Sequence, residues 1–172
     1  VATIGGGNSA LESALMGANI AKKLYVINKN PQFKGDQILI DSLNTKKNVE
    51  VIYSAKTDQI VGEKFVTALK YTDKDGKPQE LKVDGVIEHI GMVPNSGVVG
   101  PEVEKNQFGE IKTDMRGATN IPGLFAAGDV TDIPYKQIVA AAGQGCIAVL
   151  SAIDYLNKLK SWDPDANIQM EY

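Results

Sequence analysis

The sequence predicts an α/β fold in two parts: a parallel three-layer domain carrying a β-ribbon, then a shorter segment built around one long helix. Three observations support this. Strand, helix and strand alternate within the first 30 residues. From Lys56 to Glu88 the pattern changes to strands without helices. Glycine and proline then cluster from Gly91 to Pro101, ahead of a long helical run.

Residues 1–4 read as a short buried strand, apolar and β-branched, ending at glycine. Asn8 or Ser9 is expected to cap the helix that follows. Leu11, Ala14, Leu15 and Ala18 recur at i, i+3, i+4 and i+7, which makes one apolar face. Residues 24–27 form a second buried strand, and so short a βαβ unit implies parallel pairing. Asp36 is expected to cap a shorter helix reaching about Leu43, before a third strand at 48–53. Strands at 65–72 and 79–83 flank Asp73-Lys74-Asp75-Gly76-Lys77, a hairpin loop whose glycine supplies positive φ. This ribbon is expected to cover one face of the parallel sheet, and residues 86–90 add another buried strand. Gly91-Met92-Val93-Pro94-Asn95 breaks the pattern and marks the domain boundary. Beyond it, 110–113 reads as a short strand and 123–127 as a buried strand running into Gly128-Asp129. A long helix is expected from near Tyr135 to about Lys158, with an apolar stripe of Ile138, Ala141, Ala142, Gly145, Val149, Ala152, Ile153 and Leu156. Gly143 and Gly145, unfavourable inside a helix, are expected to lie against a sheet or cofactor. Residues 161–172 read as a loose polar tail.

Composition narrows the function. The chain has 172 residues, 43% of them hydrophobic, an ordinary globular balance for one domain or two small ones. Its net charge is −3, with no basic run and only 6% aromatic residues, which argues against a nucleic-acid surface. No apolar stretch is expected to reach the length of a membrane span. The single cysteine, Cys146, excludes an internal disulfide framework, fits a reducing cytoplasm, and is expected to be a small buried residue. The chain opens inside a strand, so no targeting signal can be read and a longer parent polypeptide is expected.

Two stretches carry chemistry. Gly5-Gly6-Gly7-Asn8-Ser9-Ala10 satisfies G-x-G-x-x-A between a strand and an amphipathic helix, the Rossmann dinucleotide fingerprint. Gly5 permits the tight turn, Gly7 lets a pyrophosphate approach the backbone, and Ala10 lets helix and strand pack closely. The phosphates would meet N–H groups at the helix N-terminus. After the second strand, where an acid selects NAD and basic groups accept NADP, stand Asn28, Lys29, Asn30 and, further on, Lys34, so both nucleotides stay open. In the second stretch, 119–129, a strand delivers Asp129 beside Gly128 and Val130. A carboxylate there can accept a hydrogen bond from a ribityl hydroxyl, and the helix start at Lys136, Gln137 and Ile138 can point N–H groups at a flavin edge. A plain capping aspartate is the other reading of Asp129.

These segments, with Ile90-Gly91-Met92-Val93-Pro94-Asn95, Pro134-Tyr135-Lys136-Gln137 and Gly143-Gln144-Gly145, together resemble the thioredoxin reductase family, which includes the flavoprotein component of alkyl hydroperoxide reductase. The resemblance implies FAD and NAD(P)H as cofactors, with residues 1–90 an NAD(P)H-binding domain and 91–160 the C-terminal half of a split FAD-binding domain. It implies nucleotide contacts at Asn8, Ser9 and Glu12, flavin contacts at Asp129, Lys136, Gln137 and Ile138, and cofactor contacts around Ile90 and Gly91. It further implies a relay in the intact parent, from NAD(P)H through flavin to a disulfide, then to a thioredoxin-like or peroxiredoxin-type protein, and a homodimeric parent. The family's Cys-x-x-Cys pair and first FAD motif do not occur in this sequence, so no catalytic residue is expected here. His89 reads as structural. Two alternatives stay open: a ferredoxin–NADP reductase on the same scaffold, and a nucleotide-binding module without catalysis.

Overall fold

The computed structural model describes residues 1–162. The expected tail at 161–172 lies almost wholly outside them. The chain divides into two compact units, Val1–Gly91 and a second beginning at Met92.

The first unit is three-layered. Strands β1 (Ala2–Ile4), β2 (Leu24–Asn28), β3 (Val49–Tyr53) and β7 (Val86–Glu88) form a parallel sheet in the order β3-β2-β1-β7. Helices α1 (Asn8–Ala18) and α2 (Gln37–Asn44) cover one face. There Leu11 and Ala14 pack with Leu24, Val26, Phe33 and Leu43. Antiparallel strands β4 (Lys56–Gly62), β5 (Val66–Thr72) and β6 (Pro78–Lys82) cover the other. Ala2, Ile4 and Ile27 of the sheet meet Ala55, Leu69, Tyr71 and Val83 on that side. Each fully buried Leu contributes about 1.5–3 kcal/mol, so two apolar faces hold the sheet between its covers. At the β5–β6 turn, Asp73 Oδ1 accepts from the N–H groups of Asp75 and Lys77, and Gly76 takes φ +76.

Several details differ from expectation. Gly7 is the N-cap of α1, with no side-chain cap, so neither Asn8 nor Ser9 caps it. Asp36 is the N-cap residue of α2, but its carboxylate does not cap that helix; it bonds Asn8 instead. The strand expected at 86–90 is short and partly open, because β7 is an edge of the sheet, leaving Ile87 and Ile90 exposed.

The second unit is irregular apart from α3 (Ile138–Trp162) and two 3-10 turns, Ser96–Val98 and Gly128–Val130. The strands expected at 110–113 and 123–127 reduce to isolated bridges, Ile111 to Lys105 and Thr131, and Phe125 to Ala118. The core of this unit includes Val103, Ile111 and Ala148. Helix α3 packs by small residues: added Cβ atoms on Gly117 and Gly128 would meet Ala148 at 3.0 Å and Ala141 at 3.3 Å. The packed face is therefore Ala141, Gln144, Ala148, Ser151 and Tyr155; it keeps Ala141 of the stripe expected from apolarity but leaves Ile138, Val149, Ile153 and Leu156 exposed. Gly143 and Gly145 have no protein atom within 4 Å of an added Cβ, so protein packing does not use them, and Cys146 is exposed where a buried residue was expected. The reason is rotational: these three residues lie off the packed face. The 22-residue stretch Ile138–Leu159 also contains an 18-residue window with a mean hydropathy of 1.5. By length and composition alone this stretch could cross a membrane, which corrects the expectation that none could.

Candidate functional site

In the first unit the chemistry gathers where β1 runs into α1. Strand β1 ends at Gly5, whose φ of +139 is open to glycine but strained for any side chain. A Cβ there would lie 2.4 Å from the His89 carbonyl and 2.9 Å from the Ala10 Cβ. Ala10 is fully buried, so helix and strand meet at the closest approach a methyl allows. A Cβ on Gly6 would lie 2.6 Å from Asn28 Oδ1. Gly7 differs: nothing lies within 4 Å of its Cβ position. The Gly7 carbonyl accepts from Ala10 and Leu11, whereas the first-turn N–H groups of Asn8 and Ser9 have no intrahelical acceptor. Two packed glycines thus hold a third, open one at a helix N-terminus, a geometry that admits an anion.

The loop after β2 closes over this turn. The Lys34 N–H donates to the Gly6 carbonyl at 2.8 Å. Asp36 N–H donates to Asn8 Oδ1 at 2.7 Å, while Asn8 Nδ2 donates to Asp36 Oδ2 at 2.9 Å. The sequence pattern marks Asp36 only as a helix cap and gives no sign of this reciprocal pair, since the partners are 28 residues apart. Asn28 is buried, with Nδ2 donating to the Gln32 carbonyl and Oδ1 accepting from the Asn30 N–H. Ser9, Glu12, Lys29 and Lys34 are exposed. His89 lies 2.7 Å from Ser13 Oγ on α1 and also lines the cleft of the first unit.

On the ribbon side of the sheet a cleft of about 560 Å³ opens, lined by Ile4, Gly5, Lys29, Lys56, Asp58 and Ile90, among others. Of the residues expected to bind a dinucleotide, it brings Gly5, Lys29 and Ile90 together. Gly7, Asn8, Ser9, Ala10, Glu12, Asn28, Lys34 and Gly91 are not part of its wall. Lys56, 3.6 Å from Asp58, joins the cleft from β4 and was not anticipated.

The second unit has its own polar cluster. Gly128 takes φ +78, and its N–H donates to Gln144 Oε1 at 2.8 Å, tying the 3-10 turn to α3. Thr131 Oγ1 donates to the Gly128 carbonyl at 2.8 Å. Asp129 and Val130 line a cleft of about 370 Å³ with Asn95, Glu110 and Lys136. Lys136 is committed inward: its ammonium lies 2.9 Å from Glu110 Oε1 and also donates to the Thr131 carbonyl. Lys136 and, with it, Asn106 hold the Glu110 carboxyl below its ordinary value. Glu110 was missed because it sits in an irregular segment 26 residues before its partner. Gln137 and Ile138 are exposed at the start of α3.

Comparison with known proteins follows the same lines. A family described as pyridine nucleotide-disulphide oxidoreductase matches residues 1–145. The chain is 44% identical to an NADH dehydrogenase of Ferdinandcohnia aciditolerans, over 91% of the chain and 30% of that protein. It is 42% identical to an alkyl hydroperoxide reductase component of Escherichia coli, over 94% of the chain and 31% of that protein. The thioredoxin reductase of Lactococcus lactis superimposes with a TM-score of 0.78 at 26% identity, covering 91% of this chain and 52% of that one. The chain thus spans about a third of these curated relatives and half of that structure.

Proposed function

The chain belongs to the pyridine nucleotide-disulphide oxidoreductase family, and on that premise we propose that it is the nucleotide-handling part of a flavin-dependent disulfide reductase. The observation that carries this reading is the open Gly7 position that follows the packed Gly5 and Gly6, at the start of α1. In this reading NAD(P)H lays its pyrophosphate over Gly7, where the Asn8 and Ser9 N–H groups receive it. The Asn8–Asp36 pair fixes the turn relative to the β2 loop, so the cradle is formed before nucleotide arrives.

The second unit fits half of a flavin site. Among the described residues Asp129 makes no hydrogen bond or ion pair, leaving a free acceptor at a cleft edge. Glu110 and Lys136 hold the segment ahead of α3, so its exposed first turn faces outward as a donor set. FAD, when bound, supplies the two-electron step between NAD(P)H and a disulfide. The residues here bind and orient; none donates or removes a proton in this reading. The intact protein, in a cytoplasmic setting, passes electrons to the disulfide of a thioredoxin-like or peroxiredoxin-type protein. The relatives named for alkyl hydroperoxide reductase favour the peroxiredoxin.

The test has two parts. The purified chain is titrated with NADPH and NADH by nucleotide fluorescence; saturable binding supports the reading, and no binding of either ends it. The intact protein is then assayed for NAD(P)H oxidation with a peroxiredoxin disulfide or a quinone as acceptor. Turnover with the quinone alone would favour a dehydrogenase like the relatives so named.

A further inference from the structure

We infer that Glu110 is a positioning residue of the flavin half-site: by holding Lys136, it keeps the Asp129 carboxylate free to accept from the cofactor. The inference rests on the flavin reading above and deepens it. Among the described residues, the charged side chains lining the cleft of about 370 Å³ in the second unit are Glu110, Asp129 and Lys136. A single ammonium thus stands among two carboxylates, and the one it pairs with is lost as an acceptor for a ligand. The structure places it on Glu110, 2.9 Å from Oε1, and leaves Asp129 without a hydrogen bond or ion pair among the described residues.

That choice is built into the loop before it. Asn106 Oδ1 accepts from the N–H groups of Phe108 and Glu110, which closes the turn. Asn106 Nδ2 donates to Glu110 Oε2 at 2.6 Å, so the carboxylate is oriented with its other oxygen toward Lys136. Ser96 Oγ fixes the same loop by donating to the Gly109 carbonyl at 2.7 Å. The side chains of Lys136 and Glu110 are only 15% and 20% exposed, so solvent screens the pair weakly. Asp129 instead stands exposed on its 3-10 turn. Lys136 nevertheless sits beside that turn, because its ammonium also donates to the Thr131 carbonyl, two residues after Asp129. Without the Glu110 charge, Asp129 is the carboxylate left in the cleft for it. An ammonium seated there competes with any hydroxyl donor for the same oxygens. Neighbouring charges do not relieve this. Lys105 donates to the Val99 carbonyl, Glu104 faces Lys112 at 3.8 Å, and Asp132 accepts from the Thr113 N–H. Lys136 thus serves the flavin as a strut, not through its charge.

The experiment is titration of the flavin-depleted intact protein with FAD, followed by quenching of flavin fluorescence, for wild type, Glu110→Gln, Lys136→Met and the double variant. Glu110→Gln should weaken FAD by about tenfold, the worth of one charge-assisted bond that binding must then break. Lys136→Met should stay within about threefold of the wild type, and the double variant should return to within about threefold as well. That rescue separates positioning from a purely structural role, since removing the partner of a residue that only braces the loop would not restore binding. A double variant as weak as Glu110→Gln overturns the inference. So does a loss of about tenfold or more from Lys136→Met alone, which would make the ammonium itself a flavin contact. Should circular dichroism show Glu110→Gln unfolded, the Lys136→Met result still upholds or overturns the inference. Failure of the wild type to bind FAD overturns the underlying flavin reading, and the inference with it.

Discussion

Replacing Gly5 and Gly7 separately by alanine should give opposite phenotypes, although the two residues are two positions apart in one turn. At Gly5 the backbone sits at φ +139, and the new Cβ would lie 2.4 Å from the His89 carbonyl oxygen. The dihedral strain costs about 1–3 kcal/mol. Overpacking against a backbone carbonyl, which cannot swing away as a side chain can, costs about another 1–3 kcal/mol. Gly5→Ala should therefore lose about 2–6 kcal/mol, a large share of the roughly 5–15 kcal/mol that a domain possesses. At Gly7, φ is −96 and ψ −177, which alanine adopts freely, and nothing lies within 4 Å of the new methyl. As an N-cap, alanine is poorer than glycine by about 1 kcal/mol at most. Yet that methyl stands where the pyrophosphate must come, so nucleotide affinity should fall by about tenfold or more, some 1.4 kcal/mol. Urea unfolding followed by far-UV circular dichroism measures the first quantity, and NAD(P)H fluorescence titration the second. If Gly7→Ala lost as much stability as Gly5→Ala, or bound nucleotide like the wild type, the division of labour drawn from the turn would be wrong.

Three further outcomes follow from the packing and charge. Leu69→Ala, at a fully buried position under the ribbon, should cost about 2–5 kcal/mol in urea unfolding, because the β5 backbone cannot collapse to refill the space. Gln144→Leu removes the acceptor of the buried Gly128 N–H and should destabilise the second unit by about 1–3 kcal/mol, seen as faster amide exchange in 128–131. For Glu110, the folded carboxyl titrates below its ordinary 4.5, held there first by Lys136 and then by Asn106. Its stabilisation is thus fully present above 4.5 and is lost as pH falls through the lower folded value. The gap in melting temperature between wild type and Glu110→Gln should narrow as pH falls below 4.5; a gap constant with pH would refute the assignment.

The first unit was legible because its signals are local and mutually consistent. The i, i+3, i+4, i+7 spacing of Leu11, Ala14, Leu15 and Ala18 found the buried side of α1, three of the four being fully or nearly buried. The switch to strands after Lys56 found the ribbon that lies over Ala2 and Ile4. What escaped were side-chain commitments made across the fold. Asp36 reads as a helix cap on sequence alone, and it does sit at the cap position. Its carboxylate instead serves Asn8, because the loop is drawn over the glycine turn by the Lys34 N–H bond to Gly6. Asn28 reads as a ribose partner until the fold buries it.

The long helix shows a different limit, set by composition rather than distance. Periodicity reveals a packed face only when the opposite face is polar. Over an 18-residue window of α3 the mean hydropathy is 1.5, and leucine, isoleucine, valine and alanine occur on every side, so several stripes fit equally well. The phase is decided by two features that apolarity does not score. Small residues at 141 and 148 let Gly128 and Gly117 come close, and Gln144 satisfies a buried N–H between them. A polar residue in the middle of an apolar helix was thus the informative one. Its amide had to face backbone that lacked a partner, and that requirement fixes the rotation of α3 on which Gly143, Gly145 and Cys146 turn away from the packed side.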